Sequence, residues 1–344
     1  MDGEWKTLRL SAWVEGDVQR AAEILGRGGT VAFPTETVYG LGANALHGDA
    51  VARIFVAKER PSWDPLIVHV SDEAMLARVA RVEGEVGKRA GRLAEAFWPG
   101  PLTMLLPRTE VVPDAVTAGR ERVGVRMPSH EVALELIQRA GAPVAAPSAN
   151  RFGRTSPTTA AHVLADLDGR IHAVLDGGPT SVGVESTVLD VCEWPMVVYR
   201  PGAVTVERIA EVVGEEVRRF AADSVSGSGA PEALPSPGVG IRHYAPRARL
   251  VLVRGGAELW AEVERFRKTV RVGVMLPTGW DAGGAEEVYA WGAWESSEEL
   301  ARRVFAGLRA LDGAAVEVIV CPVPAVGGMG DALRDRLEKA ARAG

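Results

Sequence analysis

The chain has 344 residues, of which 47% are hydrophobic and 24% are charged, and its formal net charge at pH 7 is −6. A chain of this length and composition is long enough for about two domains with cores of their own. The acidic balance argues against a protein whose main task is to bind nucleic acid through a broad basic face. The two cysteines, Cys192 and Cys321, lie far apart, so the sequence indicates neither a disulfide framework nor a zinc site.

The amino-terminal sequence and the apolar runs bear on the cellular compartment. Residues 1–6 contain no basic region followed by an apolar core, and no apolar run approaches the length that spans a membrane. We therefore expect a cytoplasmic protein with no membrane partner. The small number of cysteines fits a reducing compartment.

Predicted helices and strands alternate over the first two thirds of the chain. Apolar positions at helical spacing predict helices at residues 17–27, 48–58, 72–97, 129–140, 156–167 and 205–213. Short apolar runs predict strands at residues 30–33, 66–70, 102–106, 123–127, 143–147, 171–175, 187–191 and 196–199. The alternation predicts an α/β first domain, residues 1–215, with a substantially parallel or mixed sheet.

The composition changes after this domain. Residues 221–247 are rich in glycine, proline and small side chains without periodicity, which is typical of a linker, and we assign residues 216–247 to it. Residues 241–246 carry bulky polar groups, and two interpretations stand equally: a linker that docks on a domain surface, or a lid over a site. Residues 248–344 return to alternating strands and helices, which predicts a smaller Rossmann-like α/β domain without an intact G-x-G-x-x-G motif.

The stretch from residue 28 to residue 42 contains the first candidate site residues. Pro34 ends the predicted strand, and the chain continues in a hydroxyl-rich turn that we expect to open a helix containing glycines. Because open α/β folds place ligands at the sheet edge where strands end, Thr35, Glu36 and Thr37 are candidates. An ordinary strand-to-helix turn would explain this stretch alone. Further polar clusters at other strand ends favour a site.

Cationic and hydroxyl side chains dominate these clusters. The sequence contains no Walker A loop, no G-x-S-x-G motif and no His/Cys ligand set. Lys58 and Arg60 are two residues apart, as are Ser148 and Asn150, so each pair points one way in an extended segment. Such groups can cradle a polyphosphate, and Arg126 within its strand can receive a carboxylate. The chemistry indicated is displacement at phosphorus, assisted by positioning, charge and a magnesium ion.

A series of motifs in fixed order resembles the YrdC-like threonylcarbamoyl-AMP synthases. The motifs are Thr-Val-Ala-Phe-Pro-Thr-Glu-Thr-Val-Tyr-Gly-Leu-Gly (30–42), Lys-x-Arg-Pro (58–61), Pro-Leu-Ile-Val-His (65–69), Trp-Pro-Gly-Pro-Leu-Thr (98–103), Val-Arg-Met-Pro (125–128), Ala-Pro-Ser-Ala-Asn (146–150), Gly-Val-Glu-Ser-Thr (183–187) and Arg-Pro-Gly (200–202). Ser-Pro-Gly and His-Tyr-Ala-Pro within residues 236–246, with the C-terminal domain, resemble the longer, two-domain branch. The resemblance implies a YrdC-like twisted mixed sheet with helices, followed by the smaller Rossmann-like domain.

The resemblance implies an enzyme that makes L-threonylcarbamoyl-AMP and pyrophosphate from L-threonine, bicarbonate or carbon dioxide, and ATP. The product would be the donor for threonylcarbamoyladenosine in tRNAs that read codons beginning with A. A separate tRNA-modifying transferase complex would use it downstream. Magnesium would act together with ATP, and no metal ligand on the protein is implied. The acidic balance leaves room only for weak RNA binding.

The resemblance also implies roles for individual residues, carried over position by position. The threonine pocket would be formed by Thr37, His69, Arg126, Ala146 (through its backbone) and Ser186. The ATP contacts would come from Lys58, Arg60, Asp64, Arg122, Ser148, Asn150, Ser156, Arg200 and Tyr244. Lys58 and Arg60 would be the catalytic pair, because they offset charge on the phosphates as a carbamate oxygen attacks the α-phosphorus.

Two positions depart from the family's pattern. Trp63-Asp64 stands where relatives often have Asp-Asn, so a contact between the Asp64 carboxylate and ATP needs a bridging magnesium ion. Arg122 lies at a variable position, so we expect any contact there to be made by its backbone.

Two other functions compete with this interpretation. A double-stranded RNA or tRNA binder would use a basic concave face, and the acidic balance of the first domain argues against it. A carbamoyl-transfer component similar to the related domain of hydrogenase maturation proteins is the second. Such proteins carry zinc-finger and acylphosphatase segments, which this sequence lacks.

Overall fold

The computed structural model describes residues 6–220 and 244–342, and these residues form two α/β units. Most of the predicted linker, residues 221–243, lies outside the described residues. The first unit ends with a short strand, Val217–Arg219, that pairs with the sheet. The sheet therefore takes in residues that the sequence analysis assigns to the start of the linker.

The first unit is built on one mixed sheet. Its strands are β1 (Leu8–Ser11), β2 (Val31–Phe33), β3 (Gly40–Asn44), β4 (Ile67–His69), β5 (Leu102–Pro107), β6 (Arg122–Arg126), β7 (Val144–Ala145), β8 (Ala173–Asp176), β9 (Thr187–Asp190), β10 (Met196–Arg200) and β11 (Val217–Arg219). They are ordered β1-β8-β2-β3-β7-β4-β6-β5-β9-β10-β11, with both parallel and antiparallel neighbours. The predicted mixed α/β fold is confirmed.

Helices cover this sheet. They are α1 (Asp17–Gly26), α2 (Gly48–Lys58), α3 (Glu73–Val79), α4 (Gly84–Phe97), α5 (Asp114–Thr117), α6 (Glu131–Ala140), α7 (Ala160–Leu167) and α8 (Val206–Val213). In α1, Val18, Ala21, Ala22 and Leu25 are buried, whereas the polar positions between them are exposed. This helical spacing places one apolar stripe against the sheet and keeps the opposite face in water.

The segment after the hydroxyl-rich turn is a strand, so the predicted helix opening is wrong. β3 pairs antiparallel with β2 on one side and with β7 on the other. Its glycines permit close packing, since a Cβ on Gly42 would lie 2.7 Å from Cε1 of Phe33 and 2.8 Å from Cγ1 of Val144. The glycines therefore mark a crowded strand and not a helix start.

A second difference concerns Ser156. The Ser156-Pro157 pair predicts a helix start, but α7 begins at Ala160. Thr159 is the N-cap, because its hydroxyl accepts a hydrogen bond from the amide of His162. Ser156 lies ahead of the helix, and its hydroxyl donates to Glu185 instead.

The second unit is a three-layer α/β domain. Its elements are β12 (Arg249–Val253), α9 (Gly256–Phe266), β13 (Val272–Pro277), β14 (Glu287–Gly292), α10 (Ser297–Gly313), β15 (Val318–Pro322) and α11 (Met329–Ala341). All neighbouring strands are parallel, in the order β12-β15-β13-β14. Leu259 of α9 packs on one face of the sheet, whereas Phe305 of α10 and Leu333 of α11 pack on the other. Across the described parts of both units, no helix combines the length and apolar character needed to cross a lipid bilayer.

The two units share an apolar interface. Val38 and Val184 of the first unit belong to the same buried cluster as Phe305 of α10. Gly183, beside Val184, has a φ of +86°, and a Cβ there would collide with the carbonyl oxygen of Ala301 and with Cα of the following residue. The position therefore requires glycine both for its backbone conformation and for the close approach of α10.

Substitution of Gly183 tests how strongly this interface stabilises the protein. We expect Gly183→Ala to lower the free energy of unfolding by about 1–3 kcal/mol more than Gly119→Ala does. Both substitutions strain a positive-φ backbone, but Gly119 has no other atoms within 4 Å of where a Cβ would stand. Urea and thermal unfolding of both variants measure the difference. Equal losses in the two variants would contradict this account of the interface.

Candidate functional site

A cavity opens among the strand ends of the first sheet, on the side that faces the second unit. It holds about 580 Å³ of space not filled by protein, part of it open to solvent. Its lining consists of Thr35, Thr37, Val38, Gly40, Arg60, Pro65, Leu66, Ile67, His69, Arg126, Ala146, Pro147, Ser148, Glu185, Ser186, Arg200 and Tyr244. This lining includes all the residues predicted for the threonine pocket and part of the predicted ATP set, namely Arg60, Ser148, Arg200 and Tyr244.

Strand pairing brings these distant segments together. β4 and β6 are parallel neighbours, and their register places His69 beside Arg126 where both strands end. The amide of Ala146, just after β7, donates to the carbonyl of Ile67 in β4 at 2.8 Å. Ser148 forms a bridge with a residue of β3. The loops that follow these strands therefore meet at one edge of the sheet, as expected for ligand sites in α/β folds.

Arg126 is buried and has partners on the cavity wall. Its Nη2 lies 2.6 Å from Oε1 of Glu36, and this ion pair is almost completely removed from solvent. Nη1 donates to the Thr37 hydroxyl at 2.9 Å, and Nε donates to the carbonyl of Gly100 at 3.2 Å. A guanidinium carries more N–H groups than these partners use, so Arg126 can also meet a ligand carboxylate.

His69 lines the same cavity as a buried, neutral imidazole. Burial, reinforced by the positive charge of Arg126, lowers the pKa of His69 to about 3. The ring also packs edge-on against Phe33, with 6.2 Å between centroids. A neutral imidazole has one donor and one acceptor nitrogen, which suits recognition of a ligand hydroxyl.

Ser186 and Arg200 form one hydrogen-bonded group at the start of β9. Nη2 of Arg200 donates to the Ser186 hydroxyl at 3.1 Å, and Nε donates to the Ser186 carbonyl at 3.0 Å. The Ser186 hydroxyl lies 2.8 Å from the hydroxyl of Thr103 in β5. The predicted threonine residue Ser186 and the predicted ATP residue Arg200 are thus in direct contact.

Lys58 lies behind the loop that carries Ser148. Its Nζ donates to the carbonyl oxygens of Ser148, at 2.6 Å, and of Asn150. The side-chain amide of Asn150 donates within the same loop. Burial, with the charge of Arg60, lowers the pKa of Lys58 well below its ordinary value. Lys58 and Asn150 therefore shape the loop, and Ser148 is the member of this group that lines the cavity.

Asp64 holds Arg60 in the lining. The Asp64 side chain is fully buried, and its Oδ2 lies 2.9 Å from Nη2 of Arg60. Arg60 also donates to the carbonyl of Pro65 at 2.9 Å. The carboxylate thus contacts the guanidinium behind the cavity wall, and a contact from Asp64 to ATP stays a prediction.

Tyr244 lines the cavity from the segment just ahead of the second unit. The residue is 3% exposed, and its ring stacks on Phe305 of α10 with 5.7 Å between centroids. The guanidinium of Arg336 lies 5.3 Å from the centre of the same ring. The Thr155 hydroxyl donates to the Tyr244 carbonyl at 3.2 Å. The tyrosine therefore contacts both units where they meet at the cavity.

Ser156 and Glu185 connect the cavity to α11. The Ser156 hydroxyl donates to Oε1 of Glu185, and Nε of Arg336 donates to Oε2 at 2.8 Å. Burial acts to raise the pKa of Glu185, but Arg336 and Arg200 outweigh it and hold that pKa below its usual value. Glu185 is therefore a buried carboxylate ion at the wall of the cavity.

Arg122 lies away from this group. Its guanidinium pairs with Asp190, and its Nη2 is 2.8 Å from Oε1 of Glu193. The side chain borders a separate open groove together with Arg108 and Cys192. The structure does not bring the Arg122 side chain to the other predicted ATP residues, and a contact through its backbone stays a prediction.

Sequence reasoning missed Glu185, Arg336 and Thr103. Glu185 lies within the 183–187 motif, where an acid beside a serine was a usable signal. Arg336 falls on the apolar stripe of α11, between Leu333 and Leu337, and a charge in that position needs a buried partner. Thr103 has no comparable signal, because its contact with Ser186 exists only once β5 and β9 are paired.

The charged donors that line the cavity, Arg60, Arg126 and Arg200, suit an anionic ligand. Within residues 6–220 and 244–342, no group of three or more His, Cys, Asp or Glu side chains could hold a metal ion. The carboxylates near the cavity, Glu36, Asp64 and Glu185, each face an arginine. Magnesium commonly binds through substrate phosphates and water, which needs no such protein cluster.

The comparisons with known proteins cover both units. A family model described as "Telomere recombination" (Sua5/YciO/YrdC) matches residues 23–202, and one described as "Threonylcarbamoyl-AMP synthase, C-terminal domain" matches residues 204–342. The threonylcarbamoyl-AMP synthase of Pyrococcus abyssi is 44% identical, over 96% of this chain and 95% of its own length. The Bacillus subtilis enzyme of the same name is 42% identical, over 94% of this chain and 92% of its own length.

A solved structure gives the same result. The crystal structure of Pyrococcus abyssi Sua5 complexed with L-threonine matches with a TM-score of 0.89 and 42% sequence identity. The match covers 97% of this chain and 97% of the other. The chain belongs to the threonylcarbamoyl-AMP synthase family, in its two-domain form.

Proposed function

We propose that the protein synthesises L-threonylcarbamoyl-AMP and pyrophosphate from L-threonine, bicarbonate and ATP. The product serves the formation of threonylcarbamoyladenosine in tRNAs that read codons beginning with A. The observation that carries the proposal is one cavity lined by all the residues predicted for the threonine pocket and by part of the predicted ATP set, namely Arg60, Ser148, Arg200 and Tyr244. The relatives named threonylcarbamoyl-AMP synthase, and the related structure complexed with L-threonine, support the same activity.

Threonine would bind at the wall formed by the ends of β4, β6 and β7. Arg126 would receive the carboxylate, with Glu36 keeping the guanidinium in place. The neutral His69 and the Ser186 hydroxyl would meet the side-chain hydroxyl, while the backbone of Ala146 would contact the rest of the amino acid. A site built for a hydroxyl rejects analogues that lack it, because buried polar groups would be left unpaired.

ATP would bind along the neighbouring wall. Arg60, Ser148 and Arg200 line the cavity there, and Lys58, Asn150 and Ser156 lie directly behind it. The two buried cations Lys58 and Arg60 would offset phosphate charge, and an incoming triphosphate favours protonation of Lys58. Magnesium would enter as part of the ATP complex. Tyr244, at the end of the proposed linker of residues 216–247, would contact the nucleotide just ahead of the second unit, residues 248–344.

The reaction needs positioning and charge more than covalent catalysis. The threonine amine adds to the carbon of bicarbonate-derived carbon dioxide and loses a proton, which gives a carbamate. A carbamate oxygen then bonds to the α-phosphorus of ATP, and the bond between the α-phosphorus and its bridging oxygen breaks to release pyrophosphate. Preorganised donors around the developing negative charge lower the barrier without reorganising at each turnover.

One incubation tests the activity. Purified protein is mixed with magnesium-ATP, bicarbonate and labelled threonine, and each component is omitted in turn. We expect pyrophosphate and a threonylcarbamoyl nucleotide only in the complete mixture. Binding of RNA without any turnover would support an RNA-binding module instead. Transfer to tRNA would require addition of the downstream transferase complex.

Arg126→Ala tests the threonine pocket. We expect the KM for threonine to rise roughly 10- to 100-fold, because a hydrogen bond to a charged group contributes about 1.5–3 kcal/mol. The KM for ATP should change far less. Arg122→Ala is the matched control, since its side chain pairs with Asp190 and Glu193 outside the cavity, and both KM values should stay near wild type. Equal losses for threonine and ATP in Arg126→Ala would contradict the assignment.

His69 predicts a pH-dependent stability. The pKa of His69 is about 3 in the folded protein and about 6.5 when unfolded, so below pH 6.5 the unfolded chain takes up a proton that the folded chain does not. Stability is therefore lost as the pH falls. Between pH 7 and pH 5 the free energy of unfolding should drop by about 2 kcal/mol more in wild type than in His69→Gln. His47→Gln, at an exposed histidine, should keep the wild-type slope, and a His69→Gln slope equal to wild type would refute the prediction.

Tyr244 tests the contribution of the linker end. We expect Tyr244→Ala to reduce kcat/KM for ATP roughly 10-fold, equivalent to about 1.4 kcal/mol, while the first unit stays folded. Tyr244→Phe keeps the ring that stacks on Phe305 and should lose much less. Steady-state kinetics at saturating threonine, with circular dichroism of each variant, give the comparison. Wild-type kinetics in Tyr244→Ala would remove Tyr244 from the site.

A further inference from the structure

We propose that Arg336, in the last helix of the second unit, is a positioning residue for the active site. It neutralises Glu185 and holds the Glu185 carboxylate against Ser156, so that the second unit completes the nucleotide wall of the cavity. The inference rests on the proposed function, because it assigns this wall to ATP.

The geometry is specific. Arg336 is 1% exposed, its Nε donates to Oε2 of Glu185 at 2.8 Å, and its Nη2 donates to the Glu185 carbonyl at 3.3 Å. One guanidinium thus fixes both the side chain and the backbone of Glu185. The other carboxylate oxygen of Glu185 accepts from the Ser156 hydroxyl, and Ser186 is the next residue in the chain. A displacement of Arg336 would therefore shift Glu185 and, through it, Ser156 and Ser186, which are both predicted to contact a substrate.

An anionic ligand in this cavity requires the negative charge of Glu185 to be offset, and the ion pair with Arg336 does so. Glu185 lines the cavity and is 6% exposed, so little water screens its charge. Without Arg336, Arg200 would be left to offset the carboxylate ion that faces the phosphates of the nucleotide, and like charges repel strongly when both are poorly solvated. Arg336 supplies a positive charge to Glu185 but does not line the cavity itself, so it leaves the cavity free for the ligand.

A buried arginine at this position is costly without ion-pair partners, and Arg336 has two, Glu185 and the neighbouring Asp335. Arg336 interrupts the apolar stripe of α11, in which Leu333 and Leu337 are fully buried. An apolar residue of similar length would pack at that point without any desolvation penalty. The Arg336 side chain also lies over the ring of Tyr244, which places the same cation against a second lining residue.

A second arginine of the same unit holds the same segment. Arg309 of α10 donates to the Thr155 carbonyl, and its Nε donates to the Ser156 carbonyl at 3.3 Å. An ion pair with Asp166, at 2.7 Å, fixes Arg309 in this place. Ser156 is thus held by Arg309 through its backbone and by the Glu185–Arg336 pair through its hydroxyl. The second unit contacts the site at two points, which supports a positioning role over simple packing.

The test uses Arg336→Gln, Glu185→Gln, the double variant, and Arg219→Gln in the full-length protein. Arg219→Gln is the matched control, since Arg219 forms an ion pair at 2.5 Å between the units with Asp331 of the same helix, and neither residue lines the cavity. Steady-state kinetics give the KM for ATP, the KM for threonine and kcat. Thermal unfolding reports the stability of each variant.

We expect Arg336→Gln to raise the KM for ATP roughly 10-fold or more, with a smaller rise for threonine and wild-type values for Arg219→Gln. In the double variant the Glu185 carboxylate is removed together with its partner, and Asp335 keeps its ion pair with Lys339, so the KM for ATP should return to within about threefold of Glu185→Gln. An unchanged KM in Arg336→Gln, or an elevated KM that persists in the double variant, would overturn the inference.

The same set of variants also decides two further outcomes. If Arg336→Gln does not fold, the comparison of Glu185→Gln with the double variant decides, and a gap in the KM for ATP of about 10-fold or more between them overturns the inference. If wild type forms no threonylcarbamoyl nucleotide, the proposed function itself fails. The result for Arg336 is then read from ATP binding by calorimetry, in which unchanged affinity in Arg336→Gln overturns the positioning role and weakened affinity supports it.

Discussion

Neutralisation of buried charge is the constraint on which this structure depends. The charged side chains around the cavity are almost completely removed from water, and an unpartnered buried charge is costly. Arg126 pairs with Glu36, Arg60 with Asp64, and Arg336 with Glu185. Two of these pairs join segments that are far apart in sequence. The cavity wall is therefore stable only when β2, β6, β9 and α11 are all in their places.

This constraint also defines the chemistry. Fixed cations in a poorly solvated cavity act on phosphate charge more strongly than the same groups would in water. Burial and Arg126 keep His69 neutral, so one wall carries a neutral imidazole beside a charged guanidinium. Arg336 of the second unit and Tyr244, just ahead of that unit, contribute to this arrangement, although the sheet of the second unit carries no residue of the cavity lining. Residues at the interface between the two units therefore also form part of the site.

The sequence predicted some elements better than others, and the reasons are physical. Strands with continuous apolar runs, such as β4 and β5, were predicted closely because burial on both faces leaves a clear signal. β3 was predicted as a helix opening, because Gly40 and Gly42 weaken a strand signal while serving its close packing. The start of α7 was placed at Ser156 since proline is common at a first helical position, yet the Thr159 cap sets the boundary.

The sequence by itself determined the two α/β units, the order of the motifs and the residue types at the site. Hydrophobic periodicity, the positions of glycine and proline, and motif spacing are all local properties of the chain. Only the tertiary structure decided which of these residues share a wall. It set Lys58 behind the loop of Ser148 and Asn150, placed the Arg122 side chain in another groove, and brought Arg336 to Glu185. These outcomes depend on strand register and on the docking of one unit against the other, and contacts between residues 151 positions apart leave no local pattern.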